Sequence, residues 1–162
     1  MTTGPVWIYV SASMGNPKPT AEVACVCENI IMDATGIASI IKIVERIEAH
    51  IPAGLSDDLP AGFPIKAFLR LRANGVQGKG NIRAVITKPD GTVGADAAML
   101  AEFKDHPRAY FQGIFEMHVV KPQDGVYHFE FFWNEESLAV VSIEVAIKLQ
   151  PQQEPMKSIP AS

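Results

Sequence analysis

Nucleophilic catalysis needs a hydroxyl or thiol held beside a base, and a catalytic metal needs two or three imidazoles or carboxylates at set spacing. The four histidines, His50, His106, His118 and His128, fall into no such arrangement. Gly-x-Ser-x-Gly, His-Glu-x-x-His, the phosphate-loop pattern and the dinucleotide fingerprint are all absent from the sequence. Catalytic residues are therefore not expected, and no motif asks for a cofactor. His118 and His128 fall on consecutive strand-like segments, on the polar side of each, and could face each other as a surface pair. A metal there would need a third ligand such as Glu116 or Glu130. Cys25 and Cys27 stand two apart, so on a strand they share a face and cannot readily bond to each other. They are expected to be free, buried thiols in a reducing compartment, because a lone Cys-x-Cys does not make a metal site.

Carboxylates raise calcium next. Asp33, Asp90 and Asp124 all fall in predicted turns, as calcium-binding carboxylates do in C2-like domains. An Asp at a turn also accepts bonds from its own backbone, and no loop gathers several carboxylates, so a structural role is expected for each. Asp57-Asp58 reads as a solvated loop pair.

Charge is distributed unevenly. Lys66, Arg70, Arg72, Lys79, Arg83 and Lys88 lie between positions 66 and 89 without one acidic residue. The rest of the chain holds 8 basic against 18 acidic residues, a net of −10 beside +6. Between them runs Gly75-Val76-Gln77-Gly78-Lys79-Gly80-Asn81, whose backbone amides could cradle an anion, although no helix N-terminus backs them. Read as a hairpin, 66–88 would present a basic face. An acidic protein surface is the expected partner ahead of nucleic acid, because Phe68 is the only aromatic side chain there that could stack on a base.

The elements that position these residues read as strands. In Ile65 to Arg72 the odd positions are apolar while Lys66, Arg70 and Arg72 face the other way. Phe111, Phe115, Met117 and Val119 alternate with Gln112, Glu116 and His118. Tyr127, Phe129, Phe131 and Trp133 repeat the period, as do Val141, Ile143, Val145, Ile147 and Leu149, and these three segments are expected to form a meander. Lys88 to Thr92, Pro122 to Gly125 and Asn134 to Ser137 are the turns. Residues 37–51 fit a helical spacing, but their β-branched density and the preceding Asp33-Ala34-Thr35-Gly36 turn favour a strand after strand 22–31. The alanine-rich 95–104 reads as a helical turn or a connection, and 52–64, with three prolines, as a loop.

At 162 residues, 48% hydrophobic and 20% charged, the chain is long enough to bury a core without disulfides. No apolar run approaches the roughly 18 residues of a membrane span. The net charge of −4 argues against general nucleic-acid affinity. Val6 to Val10 before Ser11-Ala12-Ser13 imitates a secretory signal, but is too short and lacks a basic start, so a cytoplasmic location is expected. The organisation expected is an N-terminal extension (1–19), a β-sandwich (20–149) and a Pro/Gln-rich tail (150–162), with non-globular ends.

Seven to nine short strands with frequent turns predict a single antiparallel β-sandwich, immunoglobulin-like or C2-like. Asp124-Gly125-Val126-Tyr127-His128-Phe129 resembles the tyrosine corner of immunoglobulin-like domains. The resemblance implies structural roles for Asp124, Gly125, Tyr127 and Phe129, with the Tyr127 hydroxyl bonded to backbone near Pro122 or Gln123, and Phe129 where antibody domains carry a cysteine. The wider layout is similar to an uncharacterised family of small bacterial single-domain β-sandwich proteins: Cys27-Glu28-Asn29 into Asp33-Ala34-Thr35-Gly36, Ile40-Ile41, a Pro-rich loop, an amphipathic strand, a Pro-Asp-Gly turn and Gly125-x-Tyr127-x-Phe129. That resemblance implies a fold and a bacterial origin, and carries no activity.

The expected function is non-enzymatic: an accessory or structural subunit acting through a protein partner or through self-association, with no small-molecule substrate evident. The alternative is an anion-binding module using Lys66, Arg70, Arg72, Lys79 and Arg83.

Overall fold

Alternation of apolar and polar side chains dominates the sequence, and the computed structural model turns nearly all of it into strands. It describes residues 17–52, 62–104, 106 and 109–150. The Val6 to Val10 segment, the tail beyond 150 and the Asp57-Asp58 loop lie outside these residues. Among the described residues nine strands follow one another: β1 (Thr20–Met32), β2 (Ala38–Ile43), β3 (Arg46–Pro52), β4 (Gly62–Arg72), β5 (Gly78–Thr87), β6 (Val93–Phe103), β7 (Tyr110–Val120), β8 (Gly125–Trp133) and β9 (Glu136–Gln150). They form a four-stranded sheet in the order β2-β1-β4-β7 and a five-stranded sheet in the order β3-β9-β8-β5-β6. The protein is an all-β sandwich.

Between the sheets lie the apolar faces that the period of two separates. Ile65, Ala67, Leu69 and Leu71 of β4 and Phe115, Met117 and Val119 of β7 meet Tyr127, Phe129, Phe131 and Trp133 of β8. The Phe115 and Phe131 rings stand 5.7 Å apart at a tilt. Gly80 is required by this packing, since a Cβ there would lie 2.1 Å from the Trp133 ring.

The tyrosine corner is present as the resemblance implies. Buried Tyr127 accepts a bond from the Gln123 N–H (2.7 Å) and donates to the Gln123 carbonyl (3.0 Å). Burial pushes its phenol pKa up, so the hydroxyl keeps the proton it donates. Asp124 accepts from the Ile147 N–H (2.8 Å), and Gly125 sits at φ +130°. Phe129 is buried in the core.

Four expectations need correction. The meander does not form, because β7 lies in one sheet while β8 and β9 pair in the other. Nor is 66–88 a hairpin: β4 and β5 also lie in different sheets, joined by a crossing loop in which buried Ala73 and Val76 plug the core. Residues 95–104 are neither helix nor connection, since β6 runs through them with Ala95, Ala97, Met99, Ala101 and Phe103 turned inward. Alternation is present there, but between small side chains of low contrast. Finally, the sandwich is not wholly antiparallel. Residues 37–51 are extended as expected, yet they split at Val44-Glu45 into β2 at the edge of one sheet and β3 at the edge of the other. β3 runs parallel to β9, from Arg46↔Glu144 to Pro52↔Gln150.

The β1–β2 hairpin departs from simple layering. β1 pairs with β4 only as far as Cys27↔Lys66, but continues with β2 to Met32↔Ala38. In a straight strand Ile30 would share the inner side of Val26. Instead Ile30, Ala38 and Ile40 pack against Cys25, Cys27, Phe68 and Ile114, which face outward from the four-stranded sheet. The hairpin therefore bends beyond Cys27 and lies as an arm over the outer face of its own sheet. Its tip is the Asp33 turn, where the carboxylate accepts from the N–H of Thr35 (2.8 Å) and of Ile37 (2.9 Å).

Candidate functional site

Lys66, Arg70, Arg72, Lys79 and Arg83 do not form one basic surface. Lys66, Arg70 and Arg72 face outward from the four-stranded sheet, whereas Lys79 and Arg83 face outward from the five-stranded sheet on the opposite side of the molecule. Acidic residues from distant segments meet most of them. Lys66 pairs with Glu116 at 3.3 Å, and Arg70 pairs with Glu22 at 3.2 Å. Arg72 takes the other oxygen of Glu22. Arg83 holds Asp96 through its Nε at 3.0 Å and through a terminal nitrogen, with Glu135 at 3.6 Å. Its bonds keep the Asp96 carboxyl below the usual range. Among the described residues Lys79 has no ion-pair partner. The glycine-rich loop is equally engaged. Val76 N–H donates to the Ala73 carbonyl, and Gly78 to Asn81 belong to β5, paired with β6.

The other sequence candidates find structural partners. His118 and His128 cannot meet, because they lie on strands of different sheets; His128 bonds Ser142 at 2.9 Å instead. Asp90 accepts from Thr92 N–H (2.9 Å), Thr92 Oγ1 (2.6 Å) and Gln123 Nε2 (2.6 Å), which hold its carboxyl down at about 2. No group of three His, Cys, Asp or Glu is placed to hold a metal ion among the described residues. Cys25 and Cys27 are buried and free, side by side on the outer face. Burial pushes the Cys27 thiol up to about 11, so it stays protonated and a poor nucleophile near neutrality.

Two clefts accompany the arm. Where β1 peels away from β4, a space of about 380 Å³ is lined by Val26, Val44 and Ile47, with the Lys42–Glu28 ion pair (2.8 Å) at its rim. Beneath the arm lies a cleft of about 460 Å³. Ile37, Ala38 and Ile40 contribute from the arm, Val23 and Phe68 from the sheet, and Arg70, Tyr110 and Gln112 complete it. The Arg70 guanidinium stacks on the Tyr110 ring, 4.7 Å from its centroid. Gln112 Oε1 is buried without a hydrogen-bond partner, which costs about 1–3 kcal/mol. Sequence reading missed this cleft. Its one signal was Phe68, an aromatic in the same register as Lys66, Arg70 and Arg72.

Five of the thirteen large apolar side chains exposed among the described residues sit on the upper side or tip of the arm: Ile31, Met32, Ile37, Ile41 and Ile43. That concentration exceeds the scatter expected of a solvated surface. β2 is also an edge strand, with β1 its only neighbour among the described residues.

No family model matches the chain, and no curated protein does. Among solved structures it is similar to an immunoglobulin-like protein from Pseudomonas aeruginosa at 13% identity, covering 82% of this chain and all of that one, with a TM-score of 0.40. A glycosyl hydrolase family 2 member from Bacteroides cellulosilyticus is 15% identical over 54% of this chain, with a TM-score of 0.42. A beta-glucosidase from Listeria innocua is 9% identical over 82% of this chain, also with a TM-score of 0.42. The chain spans 13% of the first hydrolase and 17% of the second. None of these likenesses assigns an activity or a residue to this protein. No helix among the described residues is long and apolar enough to cross a membrane.

Proposed function

We propose that this protein is a non-catalytic interaction subunit that associates with a second copy of itself through the exposed side of the β1–β2 arm. The observation that carries this reading is the group of exposed isoleucines, Ile31, Ile41 and Ile43, beside the edge of β2 that no other strand pairs among the described residues. An edge strand offers unpaired N–H and C=O groups as a template for another strand. Two β2 edges meeting about a two-fold axis would satisfy those groups and bury the isoleucines together. The only charge on β2, Lys42, is already paired with Glu28, so a like-charge clash does not oppose the match.

Light scattering on the eluting native protein tests this. The expected mass is twice the 17.6 kDa chain, unchanged between low and high salt because the contact is apolar. Ile41→Asp with Ile43→Asp should return the monomer with its β-sheet spectrum intact. A 17.6 kDa mass for the unaltered protein at every concentration overturns the proposal.

An anion-binding role for Lys66, Arg70, Arg72, Lys79 and Arg83 has less support, since four of the five are already paired with carboxylates and the set is divided between opposite faces. A dimer that dissociates as salt rises would revive charge pairing between subunits.

A further inference from the structure

The underside of the arm makes a different offer from its exposed side. The cleft of about 460 Å³ between arm and sheet falls within the range of small-ligand sites, with apolar walls and a few polar groups gathered at one end. Two of those groups are incompletely used. Arg70 gives its Nε to Glu22, while among the described residues its terminal nitrogens have no hydrogen-bond partner. Glu22 is shared with Arg72, so two guanidiniums face one carboxylate and a single positive charge is left over. Tyr110 lies against the Arg70 plane and holds the fork in place. Beside it, Gln112 Oε1 is buried with no donor.

We propose that this cleft binds a small amphipathic carboxylate, its apolar body between Ile37, Ile40 and Phe68, its carboxylate on Arg70, and an adjacent N–H or O–H donor on Gln112. One surplus positive charge matches a monoanion, and a planar fork matches a carboxylate in two-point contact. A phosphate dianion would require more charge, and Arg70 is the one cationic side chain among the lining residues. The donor gives Gln112 the hydrogen bond that the protein itself does not supply. Its amide reaches the ligand by rotation about its terminal torsions, which are soft. The dimer contact uses Ile31, Ile41 and Ile43, none of which lines this cleft, so the site does not depend on it.

Calorimetric titration with three probes reads the proposal. Octanoylglycine carries the chain, the N–H and the carboxylate; octanoate lacks the N–H; N-methyloctanamide lacks the charge. Octanoylglycine should bind most tightly, octanoate several-fold more weakly, and the neutral amide at least tenfold more weakly. Arg70→Gln should cost octanoylglycine at least tenfold, with Arg70→Lys recovering only part of the loss. Gln112→Leu should bring octanoylglycine down to the octanoate level and leave octanoate itself unchanged. Failure of octanoylglycine to bind the unaltered protein at millimolar concentration overturns the proposal. So does equal binding of charged and neutral probes, which needs no variant to fold. The native mass without probe is measured separately, so failure of the dimer and failure of the cleft are distinguishable.

Discussion

The two outer faces of this sandwich solve the same problem differently. On the five-stranded sheet, Arg83, Asp96 and Glu135 form ion pairs, and His128 meets Ser142. Strand alternation holds along β5, β6 and β8, and no element among the described residues covers their outer side. On the four-stranded sheet the same period fails in two places. Cys25, Val26 and Cys27 are buried in succession, and so are Ala67, Phe68 and Leu69. Three consecutive buried residues on a strand require cover on both sides, and the arm supplies the second cover. A broken alternation thus marks the face that carries an extra layer, and with it the clefts.

The sharpest way to break this comparison is to truncate the side chain that the arm covers. Phe68→Ala removes a ring that is 3% exposed although it points away from the main core, and should cost about 3–5 kcal/mol by denaturant unfolding. Phe132→Ala, half-buried on the outer face of β8, should cost only about 1 kcal/mol. Equal losses would mean that the arm gives Phe68 no real cover. Next in size is the corner that anchors the five-stranded sheet. Tyr127→Phe leaves the N–H and carbonyl of Gln123 without their partner and should cost about 1–3 kcal/mol, read as a lower midpoint with an unchanged slope. Smaller again is the Arg83–Asp96 pair, more than a third exposed on both sides. Asp96→Asn should cost about 0.2–1 kcal/mol, a loss that shrinks in high salt.

Acid should produce the smallest of these effects. The Asp90 carboxyl stands at about 2 against an ordinary 3.8, because Thr92 and Gln123 bond its charged form. A depressed carboxyl adds stability above its unfolded value and loses it as pH falls through the folded one. Stability should therefore decline between pH 4 and pH 2, and Asp90→Asn should flatten that decline. An identical acid profile in the variant would remove Asp90 from the account.

Much of the fold is legible in the sequence because high-contrast alternation fixes β4, β7, β8 and β9, and Asp-Gly or Asn turns fix their ends. The tyrosine corner is legible to within a residue, since Gln123, which bonds the hydroxyl, is one of the two positions expected. What stays hidden is whatever depends on which strands pair. The run from Lys66 to Lys88 looks uncompensated only along the chain, since Glu22, Asp96 and Glu116 reach it across strands. The same partition between sheets undoes the meander and separates His118 from His128. β6 escapes notice because alanine on one side and alanine on the other give little contrast. The cleft is hidden further still, since Ile37 and Gln112 become neighbours only through a bend in β1 that no local pattern announces.

The parallel pairing of β3 with β9 has a consequence in time. Arg46 must wait for Glu144, which leaves the ribosome 98 residues later. At about 5–20 residues per second that delay is roughly 5–20 s. Throughout it β3 lacks β9, its one neighbour among the described residues, while the arm before it carries exposed isoleucines. The polar side chains Arg46, Glu48 and His50, placed at every second position, keep that waiting strand soluble until its partner is made.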